Sequence, residues 1–210
     1  KNIYLDSACQ TLRPQQVIDA MDEYYQEYNS CGGRVKYNWG IKLDEKIKET
    51  RKKVLNFVGK SSSKYTVAFT LNTTYGLNLV LSQLPLKFKK VVTSDIEHNS
   101  VFLPTIATAK RLNIPRIVLP RSVDGSLEYE INDLAGAITV LNSMSNIDGR
   151  ELVNLKKIAN DLHKTGGIVL IDAAQGISHN QDIIRESDFD ALFFSGHKMY
   201  GPSIGVIVIK

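Results

Sequence analysis

Apolar and polar positions follow two different rhythms along this chain. Near the start, Val17, Met21, Tyr24 and Tyr28 recur at helical spacing behind Pro14, which suits a first helical turn. Leu43, Ile47, Val54 and Val58 predict a second helix. Its other face carries Lys42, Lys46, Lys48, Lys52 and Lys53, which reads as a solvated face rather than a polyanion site. Beyond Ser61-Ser62-Ser63 the rhythm changes. Short apolar segments follow at Thr66–Thr70, Val91–Ser94, Arg116–Leu119, Ile138–Asn142, Ile168–Asp172, Ala191–Ser195 and Gly205–Ile209. Several are almost unbroken Ile, Val, Leu and Phe, as expected of strands covered on both faces. Helical patterns separate several of them. The clearest is Glu151–Lys164, with Leu152, Leu155, Ile158, Ala159 and Leu162 facing inward and His163 at the surface or in packing. This alternation predicts an α/β fold, a mainly parallel sheet with helices on both sides.

Composition narrows the class. A 210-residue chain with 43% hydrophobic and 23% charged residues is globular. Its net charge of +4 is too mild to call for nucleic acid or a membrane surface. Apolar runs such as Ile204 to Ile209 are too short to span a bilayer, and no signal-peptide pattern opens the chain. Cys9 and Cys31 do not make a disulfide framework, so a reducing, cytoplasmic setting is expected. The chain opens at Lys1 without Met and stops at Lys210 beside an apolar run, which reads as a piece of something longer.

In parallel α/β sheets ligands bind beyond the carboxyl ends of the strands, so the residues there matter most. After the first strand, Asn72-Thr73-Thr74 opens a helix, either as a plain N-cap or as a phosphate site. After the second, His98 either caps a helix, faces solvent or lies against a flat ring. Asn146 follows the fourth, within turn chemistry or as a donor to a ligand oxygen. Asp172 ends the fifth, either capping a helix or pairing with a ligand cation, since a carboxylate there is costly to bury unpaired. After the sixth come Ser195, His197 and Lys198 in a Gly-flanked loop. That lysine is either a surface residue or an amine made nucleophilic by burial beside another cation. Taken together these residues describe a ligand with a phosphate, a flat ring, a nitrogen that wants an anion, and an aldehyde that wants a lysine. Pyridoxal 5′-phosphate (PLP) meets that description. No G-x-G-x-x-G or Walker sequence supports an ordinary nucleotide site, and no metal ligand set is called for.

An ordered set of segments carries a resemblance. It comprises Tyr4-Leu5-Asp6-Ser7-Ala8, Arg34, Arg51, Thr73-Thr74 with Asn78, Glu97-His98, Ser145-Asn146 with Gly149, Asp172-Ala173-Ala174-Gln175, His179, Asp188-Phe189, and Ser195-Gly196-His197-Lys198 with Gly201-Pro202. In these the chain resembles the class V aminotransferases of fold type I, and most of all their cysteine desulfurase and selenocysteine lyase branch. The resemblance implies an α/β/α three-layer sandwich whose mainly parallel sheet has seven strands, the last antiparallel. It implies that residues 1–30 associate with a small domain, that residues 31–210 form the PLP-binding large domain, and that a C-terminal small domain is missing. Lys198 would form the Schiff base and shuttle a proton, with His98 as a second catalytic residue stacked on the ring. Asp172 would pair with the pyridine nitrogen, Gln175 would donate to the phenolic oxygen, and Asn146 would lie near ring or substrate. Thr73, Thr74, Ser195 and His197 would hold the phosphate.

The implied activity is cleavage of the C–S bond of cysteine to give alanine. An aminotransferase, a Cβ-lyase, a kynureninase-like hydrolase, or a chain inactive without its missing half are the alternatives. The implied partners are a small amino-acid substrate, a sulfur-acceptor protein and a second copy in a homodimer. Departures fall near the substrate. Tyr75 stands where the family has Glu, Arg34-Val35-Lys36-Tyr37 lacks the family's His, and Gly201-Pro202-Ser203-Ile204 lacks a glycine. Neither cysteine sits at the family's sulfur-accepting position. Cys9 is expected to pack as a small buried residue, and Cys31 to lie in a loop.

Overall fold

The computed structural model describes residues 2–210. Its centre is one sheet of seven strands, in the order β1-β7-β6-β5-β4-β2-β3. The strands are β1 (Thr66–Thr70), β2 (Lys90–Ser94), β3 (Arg116–Leu119), β4 (Ala137–Asn142), β5 (Ile168–Asp172), β6 (Ala191–Ser195) and β7 (Gly205–Ile209). β2, β3, β4, β5 and β6 pair in parallel. β7 runs antiparallel to both β6 and β1, as expected of the last strand.

The unbroken apolar runs conceal a period of two. On β6, Leu192 and Phe194 join one core cluster, and Phe193 between them joins the other. On β4, Leu141 belongs to the first cluster, and Ile138 and Val140 to the second. Helix α6 (Leu155–Lys164) covers the first face with Leu155, Ile158 and Leu162. Helices α3 (Thr73–Gln83) and α4 (Asn99–Leu112) cover the second with Leu77, Leu81, Val101 and Leu112. This is the expected three-layer α/β arrangement. Three more helices lie around it: α2 (Asn38–Phe57), α5 (Ile131–Leu134) and α7 (Gln181–Glu186).

Three local expectations change. The helix expected from Glu151 begins at Leu155, because Glu151 is held in a bridge to Met144 and Leu152 N–H bonds Ser143 O at 2.9 Å. Leu152 is buried from extended chain rather than from a helix. Pro14 precedes the helix α1 (Gln15–Glu27) with an extended ψ of 150° instead of lying within it. Lys46, Lys48, Lys52 and Lys53 are exposed, but Lys42 is not simply solvated. Its Nζ lies 4.0 Å from the ring centre of Tyr28 and 3.3 Å from Glu23 Oε1, which ties α2 to α1. Helix α1 itself buries no residue.

Candidate active site

The carboxyl ends of β1, β4, β5 and β6 are polar, at Thr70, Asn142, Asp172 and Ser195, and residues at or just past them line one cavity. At the end of β1, Asn72 has extended backbone and its side chain accepts from Tyr75 N–H at 2.8 Å. That cap starts α3 and leaves Thr73 buried. Thr73 N–H donates to Ser195 Oγ at 2.9 Å, and the Thr73 and Ser195 hydroxyl oxygens lie 2.6 Å apart. Two hydroxyls therefore sit together at a helix N-terminus, where free N–H groups favour an anion.

Beyond β6, the loop Ser195–Gly201 folds back tightly. Gly201 N–H bonds Gly196 O at 2.8 Å, and a Cβ on Gly196 would lie 2.5 Å from Pro202 O. Tyr200 adopts φ of 65°, a left-handed conformation costly for a bulky residue. Thr11 holds this loop from the far end of the chain. Its N–H and Oγ1 both donate to His197 O, at 2.9 and 3.0 Å, and its Oγ1 accepts from Tyr200 N–H at 2.8 Å. Thr11→Val keeps the shape but leaves the Tyr200 N–H unpaired. The bond is only part-buried, so we expect it to lower stability by about 0.5–1.5 kcal/mol, the net worth of a lost hydrogen bond, as measured by denaturant unfolding.

Asp172 ends β5 and is 4% exposed. Its Oδ1 accepts from Ala174 N–H at 2.9 Å and its Oδ2 from Ser100 Oγ at 3.3 Å. Neither partner is a cation. Burial pushes its carboxyl above the ordinary carboxylate range, while the Ala174 N–H and the charges of His98 and Lys198 pull the other way.

His98 caps α4, its Nδ1 accepting from Ser100 N–H at 3.1 Å, and it is exposed, as two of the three expectations had it; it also lines the cavity below. Since Nδ1 accepts, the neutral ring carries its proton on Nε2. His197 is held below the ordinary histidine value, first by burial and then by the charges of Lys198 and Arg13.

A cavity of about 210 Å3 lies between these strand ends. Thr73, Thr74, His98, Asn146, Asp172, Gln175, Ser195, His197 and Lys198 all line it. Asn72 and Ala174, which lie in the segments singled out above, and Ser100, Asn142 and Met144, which were missed in the sequence, complete the lining. Asn142 had a signal, being the polar end of an apolar run; Ser100 had only its place in a helix first turn. Gln175 makes an unexpected contact, donating from Nε2 to Ala8 O at 2.7 Å. One of its two amide hydrogens is thereby used, and the other stays available.

A family model described as aminotransferase class-V matches residues 3–210. The chain belongs to the class-V aminotransferase family. A probable cysteine desulfurase of Methanothermobacter thermautotrophicus is 35% identical over 204 residues, covering 94% of this chain and 50% of the relative. A cysteine desulfurase of Escherichia coli is 31% identical over 218 residues, covering 99% of this chain and 53% of the relative. The apo structure of a cysteine desulfurase from Thermococcus onnurineus superposes with a TM-score of 0.85 at 30% identity, covering 99% of this chain and 53% of that one. The chain spans about half the length of the curated relatives it matches.

Not every class-V segment quoted above reaches the cavity. Arg51 lies 5.8 Å from the Phe69 ring centre and lines a separate groove beside α2. Asp188 accepts from Tyr65 Oη at 2.9 Å and pairs with Lys210 at 3.0 Å. Neither lines the cavity. Cys9 is exposed, as is Cys31, so the expectation of a buried Cys9 is overturned. The stretch 2–10 is exposed, held by Tyr4 Oη donating to Asp6 O and Gln10 O. Tyr75, in place of the family's Glu, is 50% exposed and outside the cavity lining. Among the described residues no helix is long and apolar enough to cross a membrane.

Proposed function

We propose that this chain is the PLP-binding large domain, residues 31–210, of a cysteine desulfurase-like enzyme that converts cysteine to alanine and passes the sulfur to a thiol. The observation that carries this reading is that Lys198 and Asp172, from the ends of neighbouring strands β6 and β5, line one cavity. The donor set fits PLP. Asp172 is a buried carboxylate with only neutral hydrogen-bond partners, and a protonated pyridine nitrogen is the cation it lacks. The Thr73 and Ser195 hydroxyls at the start of α3, with Thr74 and His197, suit the phosphate.

PLP, when bound, supplies an aldehyde for amines and an electron sink for charge developing at the substrate Cα. Lys198 anchors the cofactor and then holds at Nζ the proton removed from Cα. Asp172 keeps its negative charge at the ring nitrogen. His98 offers its ring face and the proton on Nε2. Asn146 and the free Gln175 hydrogen orient ring or substrate. With a thiol as acceptor the reaction balances: cysteine and the thiol give alanine and a persulfide. A cytoplasmic setting, a homodimer, an amino-acid substrate and an acceptor protein for the sulfur belong to the same proposal.

A second reading is favoured by the exposed apolar side chains of Leu12, Ile18, Met21 and Tyr25. In it, the chain binds PLP but turns over no cysteine without a further covering part. The test is direct. The chain incubated with PLP and freed of excess should keep a visible absorbance band, then release alanine and sulfide from cysteine in the presence of a thiol reductant. A band without sulfide selects the second reading, and a colourless chain overturns the cofactor site.

A further inference from the structure

The cavity opens at the point where the sheet's connections reverse direction. β2 leads outward to β3, and the chain then returns to lay β4 on the other side of β2. Such switch points form crevices. Here the crevice is measurable in the ladder. β2 and β4 pair from Lys90 with Ala137 to Val92 with Thr139 and no further. β4 meanwhile stays paired with β5 up to Asn142 and Asp172. The upper groups of β4 that face β2 are thus left without backbone partners.

Side chains take over there. Thr93 Oγ1 donates to Val140 O at 3.0 Å. Asn142 N–H donates to Glu97 Oε2 at 2.8 Å, and Ser94 Oγ lies 2.5 Å from Glu97 Oε1. Asn142 Nδ2 donates to Ile96 O at 2.8 Å, and Arg121 Nη1 lies 3.4 Å from Asn142 Oδ1. Glu97 is 7% exposed, and the function proposed above gives it no task.

We propose that Glu97 is a positioning residue: its carboxyl replaces the missing β2–β4 ladder and so fixes the distance between the His98 wall of the cavity and the Asn142–Asp172 wall. This rests on the reading of the cavity as a PLP site. Glu97 directly precedes His98, whose cap partner Ser100 also reaches Asp172. The His98 wall and the Asn142–Asp172 wall are therefore both tied to this one side chain. Burial raises its carboxyl to about 8, with the Asp172 charge adding to the rise and Ser94, Arg121 and the Asn142 N–H opposing it. A neutral carboxyl has one acceptor and one donor oxygen, as a glutamine amide has one acceptor and one donor.

The test compares Glu97→Gln, Glu97→Asp and Glu97→Ala in the full chain. Without PLP, amide hydrogen exchange at Asn142 should speed by about ten-fold or more in the Asp and Ala variants and stay near wild type in Gln. With PLP, titration of the visible band should show affinity reduced by about ten-fold in Asp and Ala, an altered visible circular dichroism, and little change in Gln. The Asp variant keeps most of the bulk and serves if Ala does not fold. Wild-type exchange and dichroism in Asp or Ala would overturn the assignment, as would a Gln variant as impaired as Ala. A role in stability alone would lower the unfolding midpoint and leave the dichroism unchanged. A wild-type chain that takes up no PLP would overturn the cofactor reading. A wild-type band beside unaffected variants would overturn only the role of Glu97.

Discussion

Replacing Lys198 with alanine should abolish the visible band that survives removal of excess PLP, and reduce cysteine turnover by more than about a thousand-fold. Among the described residues lining the cavity, Lys198 carries the one primary amine. Proton transfer by a placed side chain alone is worth about 10²–10⁴-fold, and here the same nitrogen also anchors the cofactor. Lys198→Arg separates charge from chemistry. A guanidinium keeps the positive charge beside Asp172 but stays protonated and forms no bond to an aldehyde. Both variants should therefore be colourless. Lys198 is only half-buried, so neither should change the unfolding midpoint much. A persistent band in Lys198→Ala would refute the assignment of the anchoring amine.

Replacing Asp172 with asparagine should have opposite effects on cofactor binding and on the stability of the chain without PLP. The carboxylate is buried against neutral donors, and its proton affinity is raised by burial. The folded chain therefore holds a proton that the unfolded chain gives up near about 3.9. Asp172's contribution to stability is complete below that value and is lost as pH rises through its higher folded value. Asp172→Asn removes this loss, so the PLP-free variant should lose less stability on going from pH 4 to pH 8 than the wild type. Denaturant midpoints across that range would check it. Affinity for PLP should fall by about 10- to 100-fold, since a hydrogen bond to a charged group is worth about 1.5–3 kcal/mol. A variant that binds PLP as well as the wild type would remove Asp172 from the ring nitrogen.

The layered α/β fold was legible because a strand covered on both faces must be apolar throughout, and such runs are rare elsewhere in a chain. Their boundaries lie within a residue of those expected at each strand. Glu151–Lys164 misled at its start because Leu152 is buried just as a helical residue would be, while its backbone bonds Ser143 O. The cavity residues were legible for a different reason. Asp172, Ser195 and Lys198 are polar groups at or just past the carboxyl ends of apolar strands, where the helices of a parallel sheet leave an opening.

The amino-acid order by itself therefore determined the strands, the two covered faces and the polar groups that meet beyond the strand ends, because burial and strand polarity are written locally. Tertiary structure alone decided the strand order and the reversal between β2 and β4. It also decided the hold of Thr11 on the Lys198 loop, the Gln175 contact with Ala8, the exposure of Cys9 and the carboxyl of Glu97 in the crevice. Most of these join groups far apart in the chain, and the strand order and crevice rest on long-range pairing. Hydrogen bonds of that kind depend on where folding brings two backbones together, which no local pattern of residues encodes.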